Sequence, residues 1–103
     1  MKNRLEGLLN LYEKDKKDTF VIYGIALEYL SLKDYEESEK YLKILLENER
    51  GYIPAYMQYA QLKEKLNQLD EAKELYRQGI KIAKEAGDKK SAVEMEEFLD
   101  ELE

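Results

Sequence analysis

Carboxylates are the side chains of this chain best suited to chemistry. They crowd the last stretch, at Glu94, Glu96, Glu97, Asp100, Glu101 and Glu103. Carboxylates in such numbers can bind calcium or magnesium, but no loop here alternates oxygen donors around a central Gly, as a calcium loop does. Acidic pairs can also serve as acid and base, yet none lies beside a nucleophile or a pocket visible in the sequence. The acids therefore indicate a solvated helix face.

The chain has no His and no Cys. The commonest general base and transition-metal ligand is therefore missing, and disulfides, thiolate zinc sites and cysteine nucleophiles are excluded. Helix caps, exposed faces and one small core position account for the hydroxyl groups of Thr19, Ser31, Ser38 and Ser91. We expect no catalytic residue, no metal, no cofactor and no enzymatic activity.

Nine tyrosines raise the question of a cofactor or nucleic acid stacked on their rings. Packing explains nearly all of them, and only Tyr23 remains for a binding surface. Net charge is −6, with no block of Lys or Arg. Because phosphate contacts supply most nucleic-acid affinity, we expect no nucleic-acid partner. A basic or neutral protein partner fits this charge better.

The composition is that of an all-α protein. Apolar residues make up 44% of the 103 residues, with one Pro and five Gly, and good helix formers dominate. No stretch approaches the roughly 20 apolar residues that cross a bilayer. The start, Met1-Lys2-Asn3-Arg4, leads into charged amphipathic sequence rather than a signal peptide. We expect no membrane association and a cytoplasmic location.

Apolar spacings of three and four residues predict six antiparallel helices, with turns of two to five residues between them. Asp18 or Thr19 is expected to cap the second helix, and Asp34 the third. Gly51 is expected to end the third helix in the left-handed conformation. The predicted ranges are about 2–13, 20–32, 35–49, 54–66, 70–86 and 89–102.

The middle of the chain repeats itself after 34 residues. Small residues pair with small ones, since Ala26 falls on Ala60 and Ser38 on Ala72, and bulky ones pair with bulky ones. Such a period marks a stack of helical units, none of which buries its apolar face alone. We expect Ala26 and Ala60 to be buried where neighbouring helices approach closely. The bulky pairs include Ile22 with Tyr56, Ile25 with Tyr59 and Leu42 with Tyr76.

These residues resemble the tetratricopeptide repeat, a helix–turn–helix unit of 34 residues with a bulky residue, an aliphatic–small pair and an aromatic in its first helix. Ile22, Ile25, Ala26 and Tyr29 match that pattern, whereas Lys63 replaces the second aromatic. Lys33 and Asn67 stand where Gly is usual, and Arg50 and Lys84 where Pro is usual. The resemblance implies a right-handed antiparallel helical-hairpin stack, an α-solenoid of about six helices.

The repeat register divides one predicted domain, 1–103, into four parts. Residues 19–52 and 53–86 form two repeats. One period before Leu42 and Leu45 lie Leu8 and Leu11, so residues 2–14 look like a lone second helix, a half repeat. One period after Ala60 lies Glu94, out of register, so residues 88–102 are expected to form a capping helix.

The resemblance also implies a binding surface, because the first helices of such repeats line the concave side. The first repeat presents apolar residues there and the second mainly polar ones. A protein or peptide partner is implied, with the protein as adaptor, scaffold or co-chaperone-like module. The expected partner-binding residues are Phe20, Tyr23, Leu27, Leu30, Met57, Gln58, Gln61, Glu64 and Lys65.

Two alternatives concern the helix over 20–32, which is apolar nearly all round and must be covered. Either the chain's own terminal helices cover it, or the patch is an interface for an apolar peptide or a second copy. The rival function is thus a homodimerising structural module with a self-buried groove. Related proteins grip the C-terminal carboxylate of heat-shock chaperones with Lys and Asn; Tyr23, Leu27 and Gln58 stand there instead, so we do not expect that ligand.

Overall fold

The computed structural model describes residues 3–103. Their regular secondary structure is α-helical, and no strand occurs among them. The predicted all-α class with six helices is confirmed. The predicted helix start at Lys2 lies outside the described residues. The helices are α1 (Arg4–Lys14), α2 (Thr19–Ser31), α3 (Tyr35–Asn48), α4 (Ile53–Lys65), α5 (Leu69–Glu85) and α6 (Lys89–Leu102).

Short polar side chains cap the starts of four helices. Asp18 rather than Thr19 caps α2, since its Oδ1 accepts a hydrogen bond from the Val21 N–H at 3.3 Å. Asp34 accepts from the Glu37 N–H in the same way, as predicted, and Asn3 caps α1. At α6, the backbone and hydroxyl hydrogen bonds from Ser91 lower the pKa of Asp88. These four helix starts thus follow from local polar chemistry.

Three helix ends share one backbone motif. Beyond α2, α4 and α5, Lys33, Asn67 and Gly87 take positive φ angles of 62°, 59° and 78°. The N–H of the following residue then bonds back to a carbonyl in the last turn, as between Asp34 N and Tyr29 O at 2.9 Å. This motif reverses the chain sharply, so each following helix starts within a few residues.

The end of α3 differs from the prediction. Its C-cap, Glu49, is extended at φ −148°, and among residues 3–103 Gly87 is the glycine with a positive φ. The expected left-handed role of Gly51 is therefore wrong. An extended cap ends the helix without needing a glycine.

The chain divides into two compact units, one ending at Arg50 and one beginning at Gly51. In the first unit, α2 and α3 meet at small residues: Ala26 is fully buried, and the Ser38 hydroxyl donates to its carbonyl at 2.8 Å. Beside this contact the Tyr41 ring packs edge-on against Tyr12 and stacks on Tyr29. Small residues in the middle and rings at the side hold this hairpin.

In the second unit, α5 passes between α4 and α6 at Gly79. A Cβ added there would lie 2.7 Å from the Tyr56 Cβ and 2.6 Å from the Met95 Sδ, so a side chain does not fit. Tyr76, one turn earlier, is fully buried and stacks on the Phe98 ring. Ala60 is also fully buried, so the expectation for both alanines is confirmed.

Gly79→Ala should destabilise the protein by about 1–3 kcal/mol, because overpacking outweighs the gain in helix propensity. Gly7→Ala is the matched control: nothing lies within 4 Å of its added Cβ, so only propensity acts. Gly7→Ala should stabilise by about 0.5–1 kcal/mol. Urea denaturation followed by circular dichroism measures both. Equal stabilisation by the two changes would contradict the close approach at Gly79.

Lys33→Gly should raise the free energy of unfolding by about 1 kcal/mol, because Lys carries a Cβ into the left-handed region. Asn67→Gly is the comparison, and its gain should be smaller since Asn tolerates that region better. Thermal or urea denaturation ranks the two variants. A loss of stability in Lys33→Gly would show that the Lys side chain has a role that outweighs its backbone strain.

Candidate functional site

Four apolar residues of α2 share one side of the helix. Their spacings of three, four and three residues keep them within a narrow arc at 100° per residue. The Phe20 side chain is 70% exposed, and the other three are partly exposed. We call Phe20, Tyr23, Leu27 and Leu30 the α2 face.

The opposite side of α2 lies in the core. Ile22, Ile25 and Ala26 are fully buried. Helix α1 packs on a third side, where the Leu8 side chain reaches Gly24. The exposure of Phe20 means that α1 lies beside the α2 face without burying it.

The predicted residues of α4 also lie on one helix. Met57, Gln58, Gln61 and Glu64 are partly exposed and Lys65 is exposed, whereas Tyr56, Tyr59 and Ala60 face the core. We call the first five the α4 face. Its chemistry differs from that of the α2 face, because amides and charged groups outnumber the one apolar side chain.

Glu64 is already engaged within its own hairpin. Its Oε2 accepts a hydrogen bond from the hydroxyl of Tyr76 at 2.5 Å. Burial, followed by this bond and the charge of Glu64, raises the pKa of Tyr76 far above its usual value. The sequence did not reveal this pairing, although a tyrosine in a core position signals a need for an acceptor. Glu64 therefore has a structural partner.

Lys63, which stands where the repeat pattern has an aromatic residue, is also part of the structure. It is only 9% exposed. Its Nζ lies 2.6 Å from the Glu71 Oε1 and 2.8 Å from the Gln68 Oε1, and 5.8 Å from the centre of the Tyr59 ring. The aliphatic stem takes the space of a ring while the ammonium ties α4 to α5.

Part of the acidic C-terminal stretch is ion-paired. The Glu96 Oε2 lies 3.0 Å from the Lys84 Nζ, and Glu103 pairs with Arg77. Across residues 3–103, no three acidic side chains come together as a metal site would need. The same range contains no helix of the length and apolarity that a bilayer span requires.

The family model described as tetratricopeptide repeat matches residues 21–50 and 53–86, more than half of the chain. The chain belongs to this family. It is 26% identical over 98 residues to a TPR repeat-containing protein of Pseudomonas aeruginosa, covering 95% of this chain and 93% of that protein. The predicted family and fold class are confirmed.

Solved structures of the same family are similar as well. A tetratricopeptide repeat domain protein from Salinibacter ruber, solved by NMR, is 29% identical and superposes with a TM-score of 0.82 over 86% of this chain and 90% of that one. The TPR2B domain of yeast Sti1, in complex with pHsp70, has a TM-score of 0.88 at 14% identity, covering 95% and 78%. The second likeness is one of fold alone.

Glu64→Leu should destabilise the protein by about 1–3 kcal/mol, because it leaves the buried Tyr76 hydroxyl without its acceptor. Glu64→Gln is the control, since its amide oxygen can still accept and the cost should stay below about 1 kcal/mol. Chemical denaturation of both variants measures the difference. Similar losses in the two would mean that the charge of Glu64, not the hydrogen bond, matters.

Proposed function

We propose that this protein is a protein–protein interaction module, an adaptor or scaffold that binds a peptide or protein segment through the exposed sides of the first helices of its repeats, α2 and α4. The α2 face is the observation that carries the proposal. A ring that is 70% exposed stands in water beside three further apolar side chains. Contiguous exposed apolar patches on soluble proteins commonly mark interaction sites, whereas single exposed apolar residues do not.

The chemistry of the two faces suggests what the segment contains. The α2 face offers apolar contacts, so we infer bulky apolar residues in the part of the segment that it binds. On the α4 face, Gln58 and Gln61 carry donors and acceptors that suit a peptide backbone, and Lys65 adds a positive charge. Glu64 contributes less, because Tyr76 already occupies it.

The family supports a binding role and says less about the ligand. The Sti1 domain, which has a similar fold, was solved in complex with pHsp70. This fits a co-chaperone-like version of the proposal. The positions that hold the cationic clamp in some members of the family carry Tyr23, Leu27 and Gln58 here, so we propose an apolar segment rather than a terminal carboxylate. The absence of His and Cys favours binding over catalysis, and a cytoplasmic location remains part of the proposal.

Replacing Tyr23 and Leu27 with Glu together should weaken binding of a captured partner at least about tenfold, because buried apolar anchors dominate such interfaces. The matched control replaces Leu69 and Val93, which are exposed apolar residues of α5 and α6, with Glu. The control has the same number of changes and the same added charge. Affinity capture followed by calorimetric titration of the purified partner measures the effect.

Partners that bind both variants as tightly as the unchanged protein would show that the α2 face is not the site. The rival function, a homodimer formed through the α2 face, predicts a different result for the same variants. Light scattering would then find a dimer for the unchanged protein and the control, and a monomer for the Tyr23 and Leu27 variant.

A further inference from the structure

The side of α1 that corresponds to a buried side of α3 is open. Leu11 lies one 34-residue period before Leu45. Leu45 is fully buried, whereas Leu11 is 50% exposed. One period further on, Gly79 lies against Tyr56 and Met95. The position that is buried in α3 and α5 therefore has no cover in α1.

This open side of α1 has a definite chemistry. Arg4, Gly7, Leu11 and Lys14 follow one another at three, four and three residues and are all exposed; we call them the α1 stripe. Nothing lies within 4 Å of a Cβ added at Gly7, so the middle of the stripe is open to a partner. One apolar side chain thus stands between two cations, of which Arg4 also contacts Glu28 at 3.4 Å.

The second unit has a groove of complementary chemistry. This is an open surface groove between α5 and α6, about 460 Å³ in volume, lined by Arg77, Ile80, Glu96, Leu99 and Asp100. Ile80 and Leu99 supply the apolar part. Glu103 pairs with Arg77, and Asp100 takes part in no salt bridge within residues 3–103.

Charge around the groove is negative. From residue 94 to residue 103, α6 and its C-cap contain six acidic residues and no basic one. The neighbouring Lys84 neutralises only Glu96, at 3.0 Å. The α1 stripe, with one apolar side chain between two cations, complements this groove in apolar character and in the sign of its charge.

We propose that α1 of one copy of this chain docks into the α5–α6 groove of a second copy. Leu11 then covers Ile80 and Leu99, and Lys14 faces Asp100. The docked α1 supplies, beside α6, the second helix that each repeat has beside its first helix. Because the two surfaces differ, the contact is heterologous and leaves a free stripe and a free groove at the ends of each assembly.

This inference is independent of the proposed function. It uses α1, α5 and α6, whereas the proposed peptide site uses the α2 and α4 faces. A protein that self-associates this way can still bind a peptide. The two can therefore fail separately.

Sedimentation velocity over a wide concentration range tests the contact. The unchanged protein should associate as concentration rises, and Leu11→Glu should lose that association, because it places a carboxylate against the negative groove. In the groove, Ile80→Glu should have the same effect. Since Ile80 is partly buried, Asp100→Lys at an exposed position serves as the second groove variant, and it should weaken association at least about tenfold.

A mixture gives the sharpest test of a heterologous contact. Leu11→Glu keeps an intact groove, and Asp100→Lys keeps an intact stripe. Each alone should stay largely monomeric, but the two together should form a one-to-one dimer, since one good contact remains and no further copy can add. Combining Lys14→Glu with Asp100→Lys in one chain should restore association by reversing both charges.

Three results would overturn the proposal. They are an unchanged protein that stays monomeric at every concentration, a Leu11→Glu variant that associates as the unchanged protein does, and a mixture that remains monomeric. The variant with Tyr23 and Leu27 replaced by Glu is the control for the rival α2 interface and should associate normally. Higher salt should weaken the association, because screening acts on the charged part of the contact.

Discussion

Close approach of helices at small side chains is the constraint on which the rest of the structure depends. In the second unit the room between α4, α5 and α6 leaves no space for a Cβ at Gly79, and Ala60, Ala72 and Ala83 are fully buried. In the first unit Ala26 and Ser38 have the same role. Once these positions point inward, helical geometry fixes which residues point outward. The exposure of the α2 and α4 faces therefore follows from the placement of the small residues.

Polar groups enter this core only with partners close by in the same hairpin. The Ser38 hydroxyl bonds to a backbone carbonyl, Tyr76 to Glu64, and Lys63 to Glu71. Within residues 3–103, every buried side-chain nitrogen and oxygen has a hydrogen-bond partner. This matters because an unsatisfied buried polar group costs about 1–3 kcal/mol, a large part of the stability of a small protein. The core thus tolerates departures from the apolar repeat pattern wherever a neighbour completes the bonding.

The features that the sequence predicted are those that depend on local pattern. Helix periodicity, the caps at Asp18 and Asp34, and the burial of Ala26 and Ala60 depend on spacing and side-chain size, so they can be read along the chain. The features that it missed depend on contacts between separate helices, or on which of several backbone conformations ends a helix. The engagement of Glu64 by Tyr76 is of the first kind, and the extended end of α3 before Gly51 is of the second. The sequence predicts that the residues of the α2 face share one side of a helix, but the 70% exposure of Phe20 is seen only in the structure.

The α2 face and the α1 stripe have the same residue spacing but differ in charge. The α2 face has no charged member, so association there depends on apolar burial and should respond little to salt. The α1 stripe places Arg4 and Lys14 around Leu11, and the α5–α6 groove that it fits is rimmed by carboxylates, so association there responds to screening over a Debye length of about 8–10 Å. Because the protein carries a net charge of −6, two copies repel one another at long range unless positive and negative regions meet. The stripe and the groove allow such a meeting, whereas two α2 faces brought together gain nothing from charge. Ionic strength therefore distinguishes the two surfaces physically.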